Sequence, residues 1–174
     1  MAGRKPKPKP LFYFEAFNPW DVLFILVYGT ATIGVLLYLH CGADKSKNEV
    51  LIFYTVAPQL LNYFLNYSSL KNLRSYFIWI GFAVVHICIY CFLKNDPFYE
   101  RSRGLLLNTI VLLILYQLQR IVSLKIQNQE LAMPTKDWKD LFTNRSVTFL
   151  DFILFVIYFG CFYTLTIFAA SHTY

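Results

Sequence analysis

Residues 20–41 read W-D-V-L-F-I-L-V-Y-G-T-A-T-I-G-V-L-L-Y-L-H-C, and this stretch decides the fold. Its only charge is Asp21, at the very start. A helix rises about 1.5 Å per residue, so roughly 20 apolar residues cross the ~30 Å hydrocarbon core of a bilayer. Residues 147–170 repeat the pattern, with Asp151 as their only charge. The sequence therefore predicts an integral membrane protein.

The composition of the 174 residues agrees with a membrane environment. Hydrophobic residues make up 57% of the chain and aromatic residues 19%, whereas only 15% are charged. An average soluble domain carries about 25% charged residues. A soluble helical bundle would also need a polar face on each helix, and several segments here lack one. We therefore exclude a water-soluble domain.

The apolar pattern predicts an all-α fold, an integral membrane bundle of five transmembrane helices. Residues 1–19 are a basic, proline-rich arm and an interfacial aromatic segment, and residues 20–174 form the transmembrane domain. The second span is short and contains Pro58 and three amides, so four spans plus one re-entrant or interfacial helix is the alternative. The predicted spans are residues 20–39, 50–67, 76–93, 104–124 and 147–170.

Basic residues predict the orientation. With five spans, 11 of the 16 Lys and Arg residues fall on the N-terminal side and 5 on the other. By the positive-inside rule, the N-terminus lies inside and the C-terminus outside, in either a bacterial or a mitochondrial inner membrane. The basic arm would contact anionic lipid headgroups. Its four basic residues are too few for a nucleic-acid footprint, so we expect no nucleic-acid partner.

A polar stripe runs along the second span. Its four members recur at helical spacing and share one face, which must meet protein or water because unpaired amides are costly in lipid. Span four carries two further amides eleven residues apart, and we expect spans two and four to contact each other or a partner through these groups. A packing seam and a wet pathway for a polar solute are both compatible with the pattern. The residues are Thr55, Gln59, Asn62 and Asn66 in span two, and Asn108 and Gln119 in span four.

Two ionisable residues lie at membrane depth. His86 is predicted either to relay protons or to be a neutral ring hydrogen-bonded to a neighbouring helix. Asp151 is predicted to be a first-turn anion satisfied by backbone N–H groups, with pairing to Arg120 or Arg145 as the alternative. Either residue is a candidate for intramembrane function.

The remaining motifs are weak. Thr30 and Gly34 form a small-xxx-small pair that indicates a helix-contact face, within the chain or against a partner. Cys88 and Cys91 are spaced like zinc ligands but lack further ligands at matching spacing. We predict no catalytic residues, no metal site and no cofactor.

These features favour a non-catalytic, multi-pass accessory or scaffold subunit of a larger membrane complex, in contact with lipid and with other membrane subunits. An energy-converting complex would be a natural host. The first alternative is a homo-oligomeric channel or transporter lined by the polar face of the second span. The second is a membrane-embedded enzyme that uses Asp151 or His86.

Overall fold

The computed structural model describes residues 13–41, 46–96, 99–134 and 146–171, with the backbone alone for Glu100 and Arg101. The Lys-Pro arm of residues 1–10, and residues 135–145 of the connection between spans four and five, lie outside the described residues. Within these ranges the fold is all-α. Its elements are α1 (Pro19–His40), α2 (Ser46–Phe64), a 3₁₀ turn (Ser69–Lys71), α3 (Leu73–Leu93), α4 (Glu100–Gln127) and α5 (Phe149–Ser171).

Four helices of the described chain are long and apolar enough to cross a membrane. They are α1, α3, α5 and the part of α4 from Ser102 to Gln127. The chain is therefore a multi-pass integral membrane protein. Helix α2 does not belong to this set because its sequence is more polar.

Helix α2 nevertheless extends along the whole of α1. At its start, the Nζ atom of Lys47 donates to the carbonyl of Leu39, 3.3 Å away near the end of α1. Just past its end, the carbonyl of Leu65 accepts from the indole of Trp20, 3.4 Å away at the start of α1. Helices α1 and α2 are thus antiparallel and of similar extent, whereas a re-entrant segment would return to the side on which it began.

The helices are arranged around α4, which contacts α2, α3 and α5. Helix α1 lies over the junction of α2 and α3, where the ring of Tyr28 stacks on Tyr54 and contacts Trp79. Helix α5 lies on the other side, and its Tyr158 ring stacks on Tyr63 of α2 with centroids 3.8 Å apart. The polar side of α2 is therefore enclosed by other helices, which explains how a polar helix is accommodated in lipid.

Helices α1 and α5 begin at the same end of the bundle with the same capping box. The side chain of Asn18 accepts from the N–H of Asp21 at 2.7 Å, and the carboxylate of Asp21 accepts from the N–H of Asn18 at 3.1 Å. Thr148 and Asp151 repeat the exchange at 3.2 and 3.0 Å. These reciprocal bonds satisfy N–H groups that a helix start leaves unpaired.

The end of the second helix differs from the predicted span, which extends to residue 67. Helix α2 ends at Phe64, because the carbonyl of Leu61 accepts from the N–H groups of both Leu65 and Asn66, and the regular ladder stops there. Asn66 therefore lies in the turn that follows α2.

Candidate functional site

The ring of His86 is the centre of a buried hydrogen-bond network. The Nε2 atom of this fully buried α3 residue lies 2.6 Å from the hydroxyl of Tyr28 on α1. The Nδ1 atom lies 2.9 Å from the hydroxyl of Thr109 on α4. Three helices therefore meet at one imidazole, and both of its ring nitrogens have partners.

Helix α2 joins this network through Gln59. The Nε2 atom of Gln59 donates to the hydroxyl of Thr109 at 2.9 Å and to the carbonyl of Leu105 at 3.0 Å. We call the chain of side chains Tyr28–His86–Thr109–Gln59 the central network. It connects four helices at membrane depth.

Proline provides a further acceptor for the central network. Pro58 has no N–H, so the carbonyl of Tyr54, four residues earlier, lacks its usual helical partner. The hydroxyl of Tyr28 lies 3.4 Å from that carbonyl. The hydroxyl of Tyr54 itself lies 3.0 Å from that of Thr32 on α1. Pro58 thus creates a polar contact between α1 and α2. In membrane helices, a carbonyl freed by a proline is commonly satisfied by a neighbouring helix in this way.

The central network has two internally consistent proton arrangements. If Tyr28 donates to Nε2 of His86, then Nδ1 carries the proton and donates to Thr109. If Tyr28 donates to the Tyr54 carbonyl, Nε2–H donates to Tyr28 and Thr109 donates to Nδ1. Each arrangement keeps the imidazole neutral. All four members of the network are uncharged groups that bond to one another, which suits an environment of low dielectric.

The predicted stripe of α2 faces the interior of the bundle. The hydroxyl of Thr55 donates to the carbonyl of Leu51 at 2.7 Å, within its own helix. Asn66 donates to the side-chain oxygen of Asn62 at 3.1 Å. With Gln59, all four predicted residues are buried.

A small cavity lies beside the stripe. Its volume is about 10 Å³, and Gln59, Asn62, Thr109 and Tyr158 contribute to its walls. That volume corresponds to about one water molecule. The Oε1 atom of Gln59 has no hydrogen-bond partner among the described residues.

The amides of span four have other partners than expected. Gln119 donates to the carbonyl of Leu154 on α5, 2.8 Å away, rather than to α2. Asn108 is buried, and its Nδ2 atom has no partner in the part of the chain that the structure describes. The hydrogen bond from α4 to α2 uses Thr109. The hydroxyl of Tyr116 donates instead to the carbonyl of Tyr67, just after α2, at 2.6 Å. A shift of one position turns a side chain by about 100° around a helix, so sequence spacing alone did not identify the face toward α2.

A second polar cluster surrounds Asp151 at the end of the bundle where α1 and α5 begin. One carboxylate oxygen accepts from Gln127 at 2.9 Å and from the N–H of Ala132 at 3.2 Å. The other accepts from the hydroxyl of Thr148 at 2.8 Å as well as from its N–H. The fully buried carboxylate therefore joins α5 to the end of α4 and to the segment that follows α4.

The segment after α4 turns back onto the bundle. Asn128 adopts a left-handed conformation (φ 52°), which Asn tolerates better than most residues. Beyond it, Glu130 forms a two-pronged ion pair with the buried Arg120, and both contacts measure 2.8 Å. The guanidinium lies 5.6 Å from the centre of the Tyr13 ring. Burial raises the pKa of Tyr13 to about 12, although the neighbouring Arg120 acts in the opposite direction.

Several residues of these clusters were not singled out from sequence. Thr109 carried no signal, because a lone Thr is common in membrane helices. Tyr54 carried a signal, because Pro58 four residues later implies a free carbonyl.

Arg120 was expected as a possible partner of Asp151, but its partner is Glu130, which the turn at Asn128 brings back to α4.

The small-xxx-small pair lies on the outer surface of α1. Thr30 and Gly34 are both exposed, and the hydroxyl of Thr30 donates to the carbonyls of Leu26 and Val27 in its own helix. A methyl group added to Gly34 would meet no atom within 4 Å. Within the described chain, this face of α1 is therefore not used for packing.

Metal and thiol chemistry has little support in the described residues. They contain no group of three or more His, Cys, Asp or Glu side chains placed to hold a metal ion. Cys41, Cys88, Cys91 and Cys161 are free thiols. Comparisons with protein-family models, with curated proteins and with solved structures found no match for the chain.

Proposed function

We propose that this protein is a non-catalytic accessory or scaffold subunit of a larger membrane complex, with its N-terminus inside. One observation carries the proposal. The small-residue face of α1 at Thr30 and Gly34 is exposed, and nothing in the described chain packs against it. Helices associate in lipid largely through such small residues, because they allow two backbones to approach closely.

The interior of the bundle supports the same proposal. The polar groups of the central network bond to one another, and the cavity beside Gln59 has room for about one water molecule. Buried polar contacts of this kind fix how the helices pack. A channel formed between copies would instead need Gln59, Asn62 and Asn66 on the outer surface of each chain, and all three are buried.

The experiment is mild detergent extraction of the full-length, tagged chain from its native membrane, followed by mass measurement and identification of co-purifying proteins. We expect a hetero-complex much larger than the 20.4 kDa chain. Gly34→Leu should release the partner subunits while the variant remains folded. Gly81→Leu is the matched control, because Gly81 also is exposed with no atom near its Cβ position but lies on α3.

Two outcomes would contradict the proposal. One is a pure homo-oligomer that passes ions in liposomes, which would favour the channel alternative. The other is a hetero-complex from which Gly34→Leu and Gly81→Leu release the partners equally, because the α1 face would then have no special role.

A further inference from the structure

A long groove separates the middle parts of α1 and α2. The two helices are held together near both ends, by the bond from the Trp20 indole to the Leu65 carbonyl (3.4 Å) and by the hydroxyl contact between Tyr38 and Ser46 (2.6 Å). Between these contacts lies a groove with a volume of about 280 Å³. Because both ends are bridged, the groove opens sideways, toward the lipid.

The lining of the groove is apolar along its whole length. Its walls include Val27, Ala31 and Val35 of α1 and Phe53, Ala57 and Leu61 of α2. No wall residue carries a charge. An occupant that matches these walls must itself be apolar from end to end.

The floor of the groove is also apolar toward the occupant, although it contains Tyr28, Tyr54 and Trp79. The hydroxyl of Tyr28 is directed to His86, and that of Tyr54 to Thr32. The polar atoms of both tyrosines are thus occupied by the protein, and the rings present carbon to the groove.

The dimensions distinguish a lipid chain from a helix. Wall residues on α1 run from Phe24 to Val35, which corresponds to about 16 Å along the helix axis and hence across the membrane. A helix segment of that length is 10–12 Å across and occupies more than roughly 1,000 Å³. Even the whole empty space of the groove, about 770 Å³ with its open side, is smaller than that. A partner helix would therefore lie over the groove rather than in it, whereas an extended alkyl chain fits lengthwise.

We propose that this groove binds one acyl chain of a membrane lipid, which enters sideways from the bilayer and lies between α1 and α2. The side chains of Ala31 and Ala57, on opposite walls, are short enough to leave its space open. Thr30 and Gly34 do not line the groove, so this proposal rests on other residues than the proposed subunit contact.

Trp79 is a built-in reporter of the occupant. It lies on the groove floor and is only 2% exposed, so lipid outside the groove cannot reach it. The purified chain is reconstituted in phosphatidylcholine vesicles with either ordinary or dibrominated acyl chains, because bromine quenches tryptophan on contact. The emission of Trp79 is obtained as the difference between the natural chain and Trp79→Phe.

The reference is the double variant Phe77→Trp/Trp79→Phe. Phe77 is 59% exposed and lies about 3 Å from Trp79 along the same helix, so it reports on bulk lipid at the same depth. We expect brominated chains to reduce Trp79 emission clearly, although less strongly than the emission of this exposed reference, because little of the Trp79 side chain is exposed even to the groove.

Filling the groove provides the decisive comparison. Ala31→Phe, and independently Ala57→Phe from the opposite wall, should restore most of the Trp79 emission in brominated vesicles. Ala170→Phe, at an exposed position on α5, should leave the quenching unchanged. The proposal is overturned if Trp79 is not quenched in the natural chain, or if quenching persists in both filled variants while circular dichroism shows them to be folded.

Discussion

The hydroxyl of Tyr28 lies 2.6 Å from Nε2 of His86, and this contact joins α1 to α3 in the middle of the bundle. Helix α1 packs little of its surface against the other helices, since only 17% of its most apolar segment is buried within the described chain. Between helices in lipid the hydrophobic effect provides little attraction, so packing and hydrogen bonds decide their association. The position of α1 should therefore depend on a small number of polar contacts.

Tyr28→Phe tests this dependence. The change removes the hydroxyl but keeps the ring that packs against Tyr54 and Trp79. We expect the free energy of unfolding to fall by about 0.6–2 kcal/mol, the range for hydrogen bonds between membrane helices. Unfolding in mixed detergent micelles measures the change. Tyr163→Phe is the control, because Tyr163 is 65% exposed; equal effects at the two positions would contradict the assigned role.

Gln59 and Thr109 should be energetically coupled. Gln59→Leu removes the hydrogen bonds to Thr109 and Leu105, and Thr109→Val removes the hydroxyl that accepts the first of these bonds. A double-mutant cycle of unfolding free energies should give a coupling of about 0.6 kcal/mol and at most about 1.7 kcal/mol. Strict additivity of the two single changes would show that the contact between α2 and α4 contributes nothing.

Removing only the carboxylate from the ion pair of Arg120 and Glu130 should destabilise the chain more than replacing both residues. Glu130→Leu leaves the buried guanidinium without its carboxylate and should destabilise the chain by about 3 kcal/mol, because an unpaired buried charge is costly. The double variant Arg120→Met/Glu130→Leu should recover part of that loss, since an apolar pair needs no partner.

The control for this pair is Lys125→Met, which removes an exposed charge near the end of the same helix. Its unfolding free energy should differ little from that of the natural chain. A double variant less stable than Glu130→Leu alone would contradict the ion-pair assignment.

Asp151→Asn should be more damaging than loss of one surface charge. The carboxylate accepts from Gln127, Ala132 and Thr148, and an Asn side chain must turn its NH₂ group toward some of these donors. We expect a loss of about 1–3 kcal/mol in unfolding free energy. Glu49→Gln, at an exposed position in the first turn of α2, should be nearly neutral. An Asp151→Asn variant as stable as the natural chain would contradict the role of the charged carboxylate as the acceptor for these donors.

Sequence reasoning predicted the all-α membrane fold because long apolar runs admit few other structures. It also placed Gln59 and Asn62 on one face of a helix, since period 3.6 fixes that face. It did not identify the end of α2, where two N–H groups share the Leu61 carbonyl. Such a local departure from the ladder has no clear signature in composition.

The partners of the polar residues were harder to predict than their faces. Nothing along the chain indicates that His86 meets Tyr28 and Thr109, because these residues lie on three different helices. The pairing of Arg120 with Glu130 depends on a backbone reversal at Asn128. Periodicity identifies the side of a helix that turns inward, while the packing of whole helices decides which groups meet there.

We propose that five helices cross the membrane, α2 among them, so that the two ends of the chain lie on opposite sides. The most direct test adds a short tag to either terminus and exposes sealed native vesicles of both orientations to a protease that cannot cross the membrane. We predict that the N-terminal tag is cleaved only from the inside face and the C-terminal tag only from the outside face. Cleavage of both tags from the same face would mean that α2 does not cross and that only four helices span the membrane.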